Sequence, residues 1–203
     1  MAKGLVIRER YEATCMGYDE LYAEEQWEKY EASLPRIPPR GRVLDAGCGT
    51  ALLAEYMSAK GLLDVVELYV CLDYSGCMLS LAAKRLRRLG VEASLLVEGN
   101  VEWLPLPSGF FDVVYSFTVL DLVDDPERAL RELLRVSRGP VVFSMLKKLP
   151  YKNRFLGRYP ALAETGKDVI FLASPGPREE LLHLPRIGHS VGAKPRHLQS
   201  SDG

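Results

Sequence analysis

Side-chain amides are scarce in this 203-residue chain: Asn100, Asn153, Gln26 and Gln199 are the full set. Few thermolabile amides is a trait of proteins built for heat. Cysteine is also sparse. Cys15, Cys48, Cys71 and Cys77 form no C-x-x-C pair, which argues against a zinc site. Cys48 reads as a small turn residue and Cys71 as part of an apolar strand, so buried free thiols are the expectation. His183, His189 and His197 lie in the tail without metal-ligand spacing, so no metal is expected. No apolar run reaches membrane-spanning length and the N-terminus lacks the apolar core of a signal peptide, so a cytoplasmic location with no membrane contact is expected. Charge asymmetry is missing too. With 26 basic and 27 acidic residues, the net charge of -1 excludes a whole-surface footprint for nucleic acid and leaves only a local patch. The length suits one domain with a proper core, and no internal repeat is visible.

What is present centres on Val43-Leu44-Asp45-Ala46-Gly47-Cys48-Gly49-Thr50-Ala51-Leu52-Leu53. A short apolar strand over 42–45 leads into a tight glycine turn and a helix over 52–60 ended by Gly61. Gly47 and Gly49 permit positive φ and close approach of a ligand to the backbone. Thr50 is the expected cap of the helix. This is a nucleotide crevice at the carboxyl end of a first parallel strand. A dinucleotide turn needs a third small residue where Leu52 stands, and a pyrophosphate is repelled by Asp45. A ligand carrying an ammonium group is attracted instead. A second apolar strand over 67–73 ends in Asp73, 24 positions beyond Gly49, where an acid accepts from ribose hydroxyls.

The pattern Asp45-x-Gly47-x-Gly49-x-Ala51 resembles the first motif of class I S-adenosylmethionine (SAM)-dependent methyltransferases of the type-11 group. Asp73-Tyr74-Ser75-x-x-Met78-Leu79 resembles the family's next motif, and Gly99-Asn100-Val101-Glu102-Trp103-Leu104-Pro105 its adenine loop, with Asn100 in place of the usual Asp. Phe111-Asp112-Val113-Val114 matches a further family element, Asp112 being structural. The resemblance covers about residues 15–146. It implies a Rossmann-like, doubly wound α/β fold with a mostly parallel sheet. It also implies SAM as cofactor, with S-adenosylhomocysteine as product. The cofactor residues it implies are Asp45, Ala46, Gly47, Cys48, Gly49, Asp73, Tyr74, Met78, Asn100, Val101, Glu102 and Ser116. Tyr18 and Tyr22 are lid candidates, because an N-terminal segment folds over the cofactor in that family. The segment 116–122 faces the transferred methyl, and Asp121 is the leading acceptor contact, with a turn or capping role as the rival reading.

The organisation expected is an N-terminal helical cap over 1–41, a SAM-binding domain over 42–173, and a poorly structured tail over 174–203. The cap splits at Gly17 into two helices, the second opened by Asp19. Strands over 92–98, 109–116 and 141–145 and a helix opened by Asp125-Pro126 complete the strand–helix alternation that demands a sheet covered on both faces. A sixth strand is expected over 169–173, and the family's seventh, antiparallel strand is not recognisable. Lys84, Arg85, Arg87 and Arg88 read as a solvated face. Lys147–Arg158 mixes basic residues with Tyr151, Phe155 and Tyr159, which leaves an RNA contact open. The function expected is methyl transfer to a small molecule. The rival readings are an RNA or protein methyltransferase working with a partner, a non-catalytic SAM-binding module, and, disfavoured by Leu52 and Asp45, an NAD-dependent oxidoreductase.

Overall fold

The computed structural model describes residues 3–149 and 152–176. The three histidines, Tyr151 and most of the C-terminal tail lie outside the described residues. Two helices open the chain, α1 (Lys3–Thr14) and α2 (Tyr18–Ser33), separated by one 3-10 turn at Cys15–Gly17. The Pro-rich stretch after Leu34 stops α2 and feeds β1 (Gly41–Ala46). Then follow α3 (Leu52–Ala59), β2 (Val66–Asp73), α4 (Gly76–Arg88), β3 (Ser94–Glu98), β4 (Val113–Ser116), α5 (Pro126–Val136) and β5 (Val141–Leu146). A short α6 (Lys152–Leu156) precedes β6 (Ala161–Glu164) and β7 (Asp168–Ala173).

The seven strands form one sheet in the order β3-β2-β1-β4-β5-β7-β6. The first five are parallel, and β7 runs antiparallel to both β5 and β6. The run over 169–173 is thus a strand, but the last one, inserted between β5 and the edge strand β6. The order reverses between β1 and β4, which opens a crevice at their carboxyl ends. Alternate side chains feed two cores. On β1, Leu44 joins α5 residues such as Leu130 and Leu133, while Val43 joins Leu53 and Met57 of α3 and Leu86 of α4. Phe155 and Tyr159 pack on the first core against Phe143, so two aromatics of the basic 147–158 stretch are spent on packing rather than offered to bases.

Two local expectations fail for physical reasons. Thr50 does not cap α3. Ala51 occupies the cap position with φ 63° and no side-chain bond, while the Thr50 hydroxyl donates to Asp19 at 2.6 Å and accepts from Arg85 at 2.7 Å. Asp19 likewise leaves the α2 cap to Gly17 and pairs with Arg85, which also reaches Glu55 at 2.8 Å. Arg85 therefore clasps α2, α3 and α4 together instead of sitting on a solvated face.

The thiols are not free. Cys48 bonds to Cys71, and Cys15 bonds to Cys77, leaving no free cysteine. The parallel register pairs Asp45 with Cys71, which brings Cys71 beside the turn that follows β1. The two bridges close sequence separations of 23 and 62 residues. Loop-closure entropy makes them worth about 3 and about 4 kcal/mol. Alkylation in denaturant is expected to label no cysteine before reduction and all four after it. Denaturant titration with and without reductant should show the loss of stability.

Candidate functional site

At the carboxyl ends of β1, β2 and β4 lies a cavity of about 420 Å³. Its floor is the glycine turn. Gly47 has φ +78°, and a Cβ there would meet Val119 Cγ2 at 2.1 Å. The backbone of the turn folds back onto the tip of β2. The amides of Gly47 and Cys48 both donate to the Leu72 carbonyl, at 2.7 and 3.0 Å. The Gly49 amide donates to Asp73 Oδ2 at 2.9 Å, and the Ser75 amide to Asp73 Oδ1 at 2.9 Å. Burial pushes the Asp73 carboxyl up, and these backbone donors pull it back. An anion-binding turn leaves its amides free for the ligand; here the three successive amides are already committed within the protein.

The cavity collects most of the expected residues. Gly47, Gly49, Asp73, Tyr74, Met78, Asn100, Val101 and Glu102 line it, with Tyr18 and Tyr22. Ser75 caps α4 by accepting the Met78 amide at 3.2 Å, which holds Met78 in the wall. The Asn100 side-chain oxygen accepts the Glu102 amide at 2.8 Å, so it first of all shapes its own loop. Arg135 of α5 grips that loop through the carbonyls of Leu104 and Leu106, each at 2.9 Å. The Glu102 carboxylate accepts the Asp125 amide at 2.8 Å and locks the loop to the start of α5.

Five expected residues are not in the wall. Ala46 and Ser116 are buried, and the Ser116 hydroxyl donates to the Ala46 carbonyl at 3.0 Å, fastening β4 to β1. Cys48 is held by its disulfide and lines only a small side cavity of about 20 Å³, shared with Asp45, Tyr18 and Gln26. Asp45 is buried and accepts a hydrogen bond from the Tyr69 hydroxyl at 2.6 Å. Burial raises its carboxyl to about 7, against the opposing pull of that bond. Asp121, expected at the acceptor, faces elsewhere. Its Oδ2 accepts the Leu146 amide at 2.7 Å, and the carboxylate braces the β4–α5 loop against the end of β5. The cavity is not lined by it.

The roof is the N-terminal segment, and more of it takes part than the two tyrosines. Gly4, Ile7, Arg10 and Tyr11 of α1 line the cavity with Tyr18, Tyr22, Glu25 and Gln26 of α2. The Tyr11, Tyr18 and Tyr22 rings form one cluster, with centroids 6.0 and 4.9 Å apart. Burial pushes the Tyr18 hydroxyl far up, so it stays protonated. No described residue of α1 is buried. Polar ties hold the helix instead: Lys3 Nζ donates to the Asp121 carbonyl at 2.7 Å, Arg8 pairs with Glu98 at 2.6 Å, and Glu12 accepts the Gly76 amide at the start of α4 at 2.7 Å. The Cys15–Cys77 bridge pins its carboxyl end to α4. Behind the cavity, fully buried Lys29 of α2 donates to Thr118 at 2.6 Å and pairs with Glu25 at 2.9 Å and Asp168 at 3.3 Å. That knot holds Thr118 in the left-handed region, φ 60°, at the cavity wall. Among the described residues no cluster suited to a metal ion exists.

Strand order, switch-point cavity and acid-tipped β2 define a class I methyltransferase fold. Residues 44–143 match the family described as "Methyltransferase domain". A malonyl-[acyl-carrier protein] O-methyltransferase of Enterobacter lignolyticus is 31% identical over 147 residues, covering 63% of this chain and 55% of that protein. A ubiquinone/menaquinone biosynthesis C-methyltransferase of Vibrio vulnificus is 31% identical over 112 residues, covering 54% of this chain and 42% of that one. The chain thus spans about half the length of the curated relatives it matches. The magnesium protoporphyrin IX methyltransferase of Synechocystis PCC 6803, solved with bound SAM, shares the fold at a TM-score of 0.65 and 15% identity, over 87% of this chain and 98% of that one. Residues 44–143 of this chain form a methyltransferase domain on a class I methyltransferase fold.

Two variants probe the geometry. Gly47→Val is expected to be destabilised through the Val119 clash and the left-handed backbone, read as a lowered Tm. Asp45→Asn tests the buried acid. The folded carboxyl titrates near 7 and the unfolded one near 3.8, so the folded form holds the extra proton between them. Wild-type stability should therefore fall relative to Asp45→Asn as pH rises through that window, and run parallel above it. Denaturation midpoints across the range measure the difference.

Proposed function

We propose that the chain binds SAM in the roofed cavity and transfers its methyl group to a small molecule. The observation that carries this is the commitment of the glycine-turn amides. With Gly47, Cys48 and Gly49 already donating inward, a pyrophosphate finds no cradle there. A nucleoside with a charged amino-acid end needs none. Asp73 offers its remaining lone pairs to ribose hydroxyls, and the wall of Met78, Asn100 and Val101 offers a slot for the base. We assign the ammonium group to the side of Asp45, which lines the small side cavity next to Gly47.

Transfer is an in-line displacement at a carbon that the sulfonium already activates. The cofactor supplies that chemistry when bound. The protein's share is alignment, which can lower a barrier by roughly 7–11 kcal/mol. Val119, Leu122 and Leu146 line the cavity and give an acceptor an apolar, shaped wall. The acceptor's proton needs no dedicated acid–base pair, and Asp121, held by the Leu146 amide, is not assigned one. The small-molecule reading draws support from the activities of the relatives and from Phe155 and Tyr159 being packed into the core. No helix among the described residues is long and apolar enough to cross a membrane. We assign the chain to the cytoplasm of a heat-adapted cell, a reading supported by its four amides and two disulfides.

Calorimetric titration is expected to show binding of S-adenosylhomocysteine and none of NADH; the reverse would remove the proposal. Asp73→Ala should weaken S-adenosylhomocysteine by about 1–3 kcal/mol, the range for losing charge-assisted hydrogen bonds. An unchanged dissociation constant would take Asp73 out of the site.

A further inference from the structure

We propose that the methyl acceptor is an anion: an apolar body carrying a carboxylate or phosphate group, held by Lys148 and Arg10 at the mouth of the cavity. The inference rests on the SAM reading above and adds the chemical class of the second substrate.

The charges facing the cavity carry it. Three acids line the wall, and each is already engaged by the protein. Asp73 accepts two backbone amides, Glu102 accepts the amide of Asp125, and Glu25 lies between Lys29 and Lys167, at 2.9 and 2.8 Å. Three cations line it as well. Lys167 is taken by Glu25. Arg10 and Lys148 form no ion pair among the described residues, although both border the cavity. Among the described residues the wall therefore has two cations without an ion-pair partner, while each of its acids already has a donor from the protein.

Docking the cofactor sharpens the imbalance. Its amino-acid end brings one positive and one negative group, and its sulfonium a further positive charge. The carboxylate of that end satisfies at most one of the two free cations. The other still faces the space left for the acceptor, now next to a sulfonium. Lys148 follows Leu146, the last residue of β5 and part of the apolar wall; Arg10 precedes Tyr11 on the roof. An acceptor with a cationic head is repelled at short range in a partly desolvated cleft, and one with an anionic head is attracted. The apolar surface between Ile7, Val119 and Leu122 accounts for the body.

The test uses the full chain saturated with S-adenosylhomocysteine. Four probes with one phenylpropyl body are titrated calorimetrically: 3-phenylpropanoate, 3-phenylpropyl phosphate, 3-phenylpropanamide and 3-phenylpropylamine. The carboxylate and phosphate are expected to bind at least about tenfold more tightly than the amide, with the amine weakest. The tighter of the two anions names the head group. In the double variant Lys148→Met/Arg10→Met, brought to saturation in the same way, the preference for anions over the amide should disappear. Equal binding of amide and carboxylate, a preference that survives in the double variant, or binding of none of the four would overturn the proposal. Failure of S-adenosylhomocysteine to bind the wild type would instead count against the cofactor reading alone.

Discussion

The Leu72 carbonyl is the point on which the site turns. It takes the amides of Gly47 and Cys48, and the next residue of β2, Asp73, takes the amide of Gly49. Three donors in a row are thereby consumed at the tip of the neighbouring strand, and the Cys48–Cys71 bridge adds a covalent tie at the same place. Such a turn is rigid and electrically quiet. It cannot serve as an anion cradle, and its left-handed glycine lets Val119 pack directly on its backbone. The β4 tip is thus set against the turn, and the space between the two tips becomes the cavity.

Much of this was readable from residue order. The acid-tipped strands, the glycines and the strand–helix alternation are local patterns, and local patterns survive folding. The parallel strands were found to within a few residues because their apolar runs are bounded by turn residues. What was not readable depends on partners distant in sequence. Cys48 and Cys71 share no motif; only the register that sets Asp45 beside Cys71 brings them together. Asp121 lies in a segment with the pattern of a site, but its carboxylate accepts the Leu146 amide, 25 positions away. Thr50 is a good capping residue that found stronger partners in Asp19 and Arg85. Strand β6 escaped because its four residues, Ala161–Glu164, carry little strand signal of their own.

Asp45 and Asp73 illustrate how position divides similar side chains. Both sit near the ends of adjacent parallel strands, yet they differ in access. Asp73 faces the main cavity, where burial raises its carboxyl and backbone donors offset part of that rise. Asp45 lies deeper, with the Tyr69 hydroxyl as partner, and burial brings its titration close to neutrality. An ammonium group arriving beside it would restore the charge, so Asp45 can answer to the ligand in a way that the already bonded Asp73 cannot.

The roof has to reconcile closure with entry. A helix that buried apolar side chains over the cavity would be expensive to lift. α1 buries none and is held by ion pairs, a lysine-to-carbonyl bond and a carboxylate on the start of α4. Ties of this kind are individually weak in water. The Cys15–Cys77 bridge alone cannot let go, so whatever opening occurs must pivot there and lift the end that carries Lys3 from the Asp121 carbonyl. The Asp121 main chain is thus the point on which the end of the roof closes, while α2 stays fixed behind it through buried Lys29.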